Sequence, residues 1–257
     1  MNYLDFKEYN QYAILTIKRP PVNALCHELV EELYDLIRKL EDTRHIRAMV
    51  ITGAGEKAFM AGADINELDK RDFIEARHVT KRRQEVFNMI ENLHFPVIAA
   101  VNGYALGGGL ELALSCTIRM ASEKASFAAP EINLGITPGD GATQRLPRVI
   151  GQARAMMMIL TGTRIDAETA LTYGLITSIS SQASLFDDAV EMCKKIASKA
   201  PLAVSYAKQA VLISGSVDMH SGLMFESYVH ALSCASTDKE EGVEAFLNKR
   251  QPDFLNK

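Results

Sequence analysis

The chain has 257 residues, 28 of them basic and 32 acidic for a formal net charge of −4, with 47% hydrophobic and 23% charged residues. That length buries a substantial core, and the proportions are ordinary for a soluble globular protein. An acidic total with no basic tract argues against nucleic-acid binding by charge, and no apolar run approaches the roughly 20 residues that a membrane-spanning helix needs.

Met1 leads straight into strand-like sequence without a basic segment and apolar signal region, so a reducing, cytoplasmic compartment is expected. Residues 12–18 read as a strand ended by Arg19-Pro20-Pro21. Leu29, Val30, Leu33, Leu36, Ile37 and Leu40 then recur at helical spacing and predict an amphipathic helix over about 27–42. Residues 47–52 form the next strand, closed by Gly53-Ala54-Gly55, and a second helix is expected over about 72–93. Its Lys81-Arg82-Arg83 run, the most basic in the chain, reads as a solvated face. Residues 96–101 predict a short buried strand with Asn102-Gly103 as its exit turn, and 117–121 another strand.

From about residue 151 the pattern is mostly helical, over 151–161, 166–173, 184–199, 201–214, 218–236 and 239–248. Pro201 suits a first helical turn, and Asp238 reads as an N-cap. Strand alternating with helix indicates an α/β core with crossover connections. A weak boundary near 200 separates a core at 1–200 from a helical region at 201–257, of a kind that packs on a neighbour or forms a lid. The four cysteines, Cys26, Cys116, Cys193 and Cys234, form no CxxC pair, and the six histidines lack ligand spacing, so no disulfide framework and no metal are expected. Cys116, Cys193 and Cys234 lie in apolar helical patterns and read as core thiols.

Four segments carry candidate chemistry. Gly107-Gly108-Gly109 opens a helix with Glu111 on its first turn: glycines allow close backbone approach, and N–H groups at a helix start lack intrahelical partners. Such a start suits developing negative charge, although a plain strand-to-helix turn with Glu111 opposing the helix dipole is an equal reading. Phe59-Met60-Ala61-Gly62-Ala63-Asp64-Ile65 is a small-residue loop in which Asp64 can cap the following turn. Phe127-Ala128-Ala129-Pro130-Glu131 sets an acid after a fixed proline and an apolar approach. Thr137-Pro138-Gly139-Asp140-Gly141 is a turn into another helix. Two loops with free N–H groups and two carboxylates fit a carbonyl that gains negative charge, one acid holding water and the other exchanging a proton with carbon. The P-loop ending, GxGxxG and GxSxG are absent, which argues against nucleotide hydrolysis, Rossmann cofactors and a serine nucleophile.

These residues resemble the enoyl-CoA hydratase, or crotonase, family over nearly the whole chain. The resemblance runs from Arg19-Pro20-Pro21-Val22-Asn23-Ala24-Leu25 through the 58–65 and 100–112 segments. Pro130-Glu131-Ile132-Asn133-Leu134-Gly135 and residues 138–146 continue it, and residues 241–250 close it. It implies an α/β spiral of ββα repeats with a C-terminal helical trimerisation region, assembled as a homotrimer or homohexamer. By motif position it implies Ala63 and Gly108 as oxyanion-hole N–H groups, Glu111 and Glu131 as the acid/base pair, and Gly139 beside the reacting acyl carbons. Pro21, Val22, Ala61 and Ile65 fall on the CoA side, and Phe246 and Lys249 match residues that close over CoA, sometimes from a neighbouring subunit.

The expected reaction is reversible syn addition of water to a trans-2-enoyl-CoA, giving a 3-hydroxyacyl-CoA, by default in fatty-acid β-oxidation. The substrate carries CoA, and no cofactor is required. An enoyl-CoA isomerase or specialised acyl-CoA dehydratase is the alternative within enzymes, and a non-catalytic RNA-binding or scaffold relative the alternative outside them. Asp140 departs from the family's small residue and reads as a surface turn acid, with an altered acyl pocket as the other reading.

Overall fold

The computed structural model describes residues 1–69 and 72–256. The N-terminal hairpin pairs β1 (Leu4–Glu8) antiparallel with β2 (Tyr12–Ile17), and α1 (His27–Glu41) follows. The six apolar positions that predict α1 are all buried, each contributing about 1.5–3 kcal/mol of transfer free energy. Next come β3 (Ala48–Gly53), β4 (Ala58–Ala61), the short α2 (Ile65–Leu68) and α3 (Phe73–Asn92). The pattern repeats as β5 (Val97–Val101), β6 (Tyr104–Leu106) and α4 (Gly108–Ser115). It repeats again as β7 (Ile118–Ser122), β8 (Ser126–Ala128), a 3-10 turn at Glu131–Leu134 and α5 (Ala142–Ile150).

Each repeat sends one strand to each of two sheets. The six-stranded sheet has the order β1-β2-β3-β5-β7-β10 and the four-stranded sheet β4-β6-β8-β9, where β9 is Ile165–Asp166 and β10 is Ser178–Ser180. From β2 to β10 the large sheet is parallel, and its register aligns Val50 with Ile98 and Ile98 with Ile118. Both faces are covered, which is why β3 and β5 are buried end to end and show no alternation. One face joins the main core with α1 and α3, while Val50, Ile98 and Met120 pack against Leu185, Ala189 and Cys193 on the other. Asn102 ties successive repeats together: its Nδ2 donates to the carbonyls of Gly53 and Gly55 at 2.9 and 2.7 Å, and its Oδ1 accepts from Gly53 N–H at 3.2 Å.

The spiral of ββα repeats is the expected architecture. The small-sheet strands were not anticipated, because β4, β6 and β8 span only four, three and three residues and lie inside segments that read as turns. The remaining helices are α6 (Gln152–Thr161), α7 (Ala167–Tyr173), α8 (Leu185–Ala197), α9 (Pro201–Ile213), α10 (Met219–Cys234) and α11 (Thr237–Leu247), each within a few residues of its expected range. Ser236, not Asp238, caps α11 by accepting from Lys239 N–H. Asp238 is buried within the first turn, where its carboxylate accepts from Leu255 and Asn256 N–H groups and ties the C-terminal segment down. Cys26, Cys116 and Cys193 are buried thiols, whereas Cys234 is exposed on α10, whose apolar residues are largely uncovered in the single chain. Among the described residues no helix is long and apolar enough to cross a membrane.

Candidate active site

The small sheet delivers the site. Its register sets Ala61, Leu106 and Ala128 side by side at the C-terminal ends of β4, β6 and β8. The residues after each strand, Gly62-Ala63, Gly107-Gly108 and Ala129-Pro130-Glu131, therefore emerge together at one edge. Neighbouring strands lie about 4.8 Å apart, close enough for N–H groups just past two of them to meet at one oxygen atom.

Gly107 makes the bend into α4 at φ 51° and ψ −121°, backbone that an L side chain disfavours. A Cβ there would also stand 2.7 Å from Glu131 Oε1. Gly109 is required by packing, since a Cβ would come within 1.8 Å of the Met60 carbonyl oxygen. Between them, Gly108 begins the helix and has no carbonyl one turn earlier to accept its N–H. On the neighbouring strand, Leu25 donates to Gly62 O at 2.8 Å and accepts from Asp64 N–H at 2.9 Å. This bridge uses both backbone groups of Leu25 and leaves the N–H of Ala63 directed away from it. Asp64 caps α2 and accepts from Arg19 Nη2 at 2.5 Å, which holds its carboxyl below the usual range and ties the two loops together.

Glu111 is 1% exposed, and its Oε1 accepts from the N–H groups of Asp140 and Ala142, each at 2.9 Å. Those donors belong to the turn that opens α5, so one helix start holds the acid carried by another. Burial, then the nearby Asp140 charge, pushes the Glu111 carboxyl well above the ordinary glutamate value. Glu131 is partly buried, and its Oε2 has no hydrogen-bond partner among the described residues. Desolvation, with Asp140 as a smaller cause, raises it too. The sheet edge thus presents two free N–H groups and two carboxyls raised above the ordinary glutamate value, an arrangement for stabilising an enolate while moving protons.

The profile of the family described as enoyl-CoA hydratase/isomerase matches residues 7–257. The chain belongs to that family. The short-chain-enoyl-CoA hydratase of Clostridium acetobutylicum is 41% identical over 252 residues, covering 98% of this chain and 97% of that protein. The crotonyl-CoA hydratase of Syntrophomonas wolfei is 39% identical over 246 residues, 95% of each chain. The crystal structure of an enoyl-CoA hydratase from Bacillus anthracis superposes with a TM-score of 0.96 at 39% identity, covering 99% of this chain and 100% of that one.

The structure brings most of the positions singled out by the family resemblance into one loop cluster. Val22 O accepts from Ala61 N–H at 3.0 Å, which sets Pro21, Val22 and Ala61 alongside Ala63, while Ile65 is exposed at the start of α2. Gly139 precedes Asp140 in the turn that holds Glu111, and its carbonyl accepts from Gln84 Nε2 at 2.6 Å. Phe246 and Lys249 are not brought there. Both are exposed near α11, and the chain after α11 bonds to Arg47 and Arg44, at the start of β3 rather than the end nearer the loops.

Two expectations are corrected. Asp140 is not a surface acid: it is 5% exposed, with Oδ2 3.6 Å from Arg83 Nη1. Nor is residues 81–83 simply a solvated face: Lys81 is exposed, but Arg82 lies over the Tyr34 ring and pairs with Glu31, and Arg83 is 3% exposed. The signal was present in helical spacing, because Arg83 shares the buried stripe of Val86, Phe87 and Ile90. One group among the described residues, Cys26, Glu28 and Glu67, has ligand-type atoms within 4.8 Å of one another. Glu67 there already accepts from His27 N–H and faces Arg83.

Proposed function

We propose that the chain is an enoyl-CoA hydratase that adds water reversibly across the double bond of a trans-2-enoyl-CoA. The observation that carries this reading is the convergence of Glu111 and Glu131 on the Gly107–Gly108 helix start, one carboxyl clamped by two N–H groups and the other with an unpartnered oxygen. The Ala63 and Gly108 N–H groups hold the thioester oxygen and stabilise the enolate-like transition state; removing one such donor typically costs about 2.7–4 kcal/mol. Glu111 orients water and takes its proton as the oxygen bonds to C3, and Glu131 delivers a proton to C2. Dehydration reverses both roles. The thioester supplies the activation, so the reading needs no cofactor beyond the CoA that the substrate carries. Hydration rather than isomerisation is favoured because water attack and carbon protonation each have a carboxyl.

The reading extends to assembly and setting. Residues 201–257 serve as the helical oligomerisation region of a homotrimer or homohexamer, in which Phe246 and Lys249 reach a neighbour's CoA rather than their own. Fatty-acid β-oxidation in a reducing cytoplasm is the proposed setting. Loss of the conjugated enoyl-thioester absorbance with crotonyl-CoA and longer homologues tests the activity. Glu111→Gln and Glu131→Gln are each expected to lower kcat by about 10²–10⁴-fold. No hydration by the parent across that panel, or near-parental rates in both variants, would overturn the reading.

A further inference from the structure

Arg83 and Asp140 are both at least nine-tenths buried, and the acid/base chemistry described above assigns neither a role. Arg83 reaches both halves of the site. Its Nη2 donates to Leu25 O at 3.3 Å, on the residue that brackets Ala63, and its Nη1 lies 3.6 Å from Asp140 Oδ2. Asp140 in turn donates its backbone N–H to Glu111 Oε1 at 2.9 Å. Its Oδ2 also stands 3.6 Å from the point a Cβ on Gly108 would occupy, which places a third carboxylate beside the proposed oxyanion hole.

We infer that the Arg83–Asp140 pair is a positioning device for the hydration reaction: it fixes the turn that clamps Glu111 and sets the charge that Glu111 and Glu131 experience. The inference deepens the hydratase reading and rests on it. Two buried charges held 3.6 Å apart interact more strongly than an exposed pair, and removing one changes the charge that the other presents to the site. Among the described residues, the charges acting on Glu111 are Asp140, from the turn before α5, and Glu131, from the 3-10 turn. Arg83, from α3, faces Asp140, and Glu67, from α2, lies 3.8 Å from Arg83. On α5, Arg145 is held by Glu91 and Asn88 and lies 3.5 Å from Asp140 O, while α4 adds no other charge.

The active form of the glutamate pair carries one proton, so kcat/KM falls when both are protonated and when both are ionised. Removing the Asp140 charge favours ionised Glu111 and moves the acid limb to lower pH; removing the Arg83 charge moves it higher. The direct readout is the titration of the Glu111 side-chain carboxyl by NMR on 13C-glutamate-labelled protein, with the resonance identified by its loss in Glu111→Gln. Asp140→Asn is expected to lower the midpoint by about one pH unit. Its kcat/KM on the acid limb, relative to its own maximum, then rises about tenfold. Arg83→Met shifts both in the opposite direction, and Arg83→Lys stays nearer the parent.

A purely structural role would lower thermal stability and leave the Glu111 midpoint in place; unchanged midpoints in both Asp140→Asn and Arg83→Met overturn the inference. If Asp140→Asn fails to fold, the Arg83→Lys and Arg83→Met comparison carries the same test. A parent that hydrates crotonyl-CoA with an unmoved Glu111 midpoint defeats this inference alone. A parent without turnover but with shifted midpoints defeats the hydratase reading while supporting the charge coupling.

Discussion

At Gly107 two requirements meet on one residue: a positive φ that favours glycine, and a Glu131 oxygen where any Cβ would press. Gly107→Ala is therefore expected to act on chemistry more than on folding. The backbone costs about 1–3 kcal/mol, while displacement of Glu131 lowers kcat with little change in KM. Steady-state kinetics beside a thermal melt checks this; a wild-type kcat would show that Glu131 tolerates the displacement. The triple glycine was legible in the sequence as a helix start with exposed N–H groups, and Glu111 as the acid on its first turn. Asp140 was misread because a charged residue between two turn glycines resembles a solvent-facing turn. Its burial depends on Arg83, 57 residues earlier in the chain, and no local pattern reports such a partner.

Among the elements, α5 is the support on which the site depends, since its first turn donates to Glu111. Arg145 fastens α5 to α3: its guanidinium binds both oxygens of Glu91, at 3.1 and 2.8 Å, and Asn88 Oδ1 at 2.6 Å. Arg145→Ala is expected to destabilise the fold by about 1.5–3 kcal/mol, the usual worth of hydrogen bonds to charged groups. Loosening the clamp also lowers kcat several-fold. Denaturant titration and turnover measured on the same preparation check the pair of effects; lost stability with kcat intact would mean that α5 does not hold Glu111 in place. Helices of this kind were readable because α1 and α3 carry an apolar stripe at helical spacing. The strands β4, β6 and β8 were not, since segments of three or four residues owe their pairing to neighbouring repeats rather than to their own sequence.

For the whole molecule, the uncovered apolar residues of α10 and α11 set the expectation. Leu223, Tyr228, Leu232 and Phe246 are 55%, 65%, 53% and 83% exposed in the single chain. Exposed large apolar side chains on both faces of α10 and on α11 fit helices that are covered by a neighbouring subunit. The chain is expected to sediment as a trimer or a multiple of it, and Leu223→Glu with Leu232→Glu to shift the distribution toward monomer and reduce turnover. Sedimentation velocity decides this, and a monomeric parent with full activity would contradict it.

The sequence by itself determined the α/β class, the order of long helices and buried strands and the family, and it singled out the two glutamates as candidates, because periodicity and short motifs are local properties that survive without a fold. Only the tertiary structure decided that Ala61, Leu106 and Ala128 end in one row and that a buried arginine faces Asp140. Register between short strands and the burial of a charge both follow from contacts between residues distant along the chain.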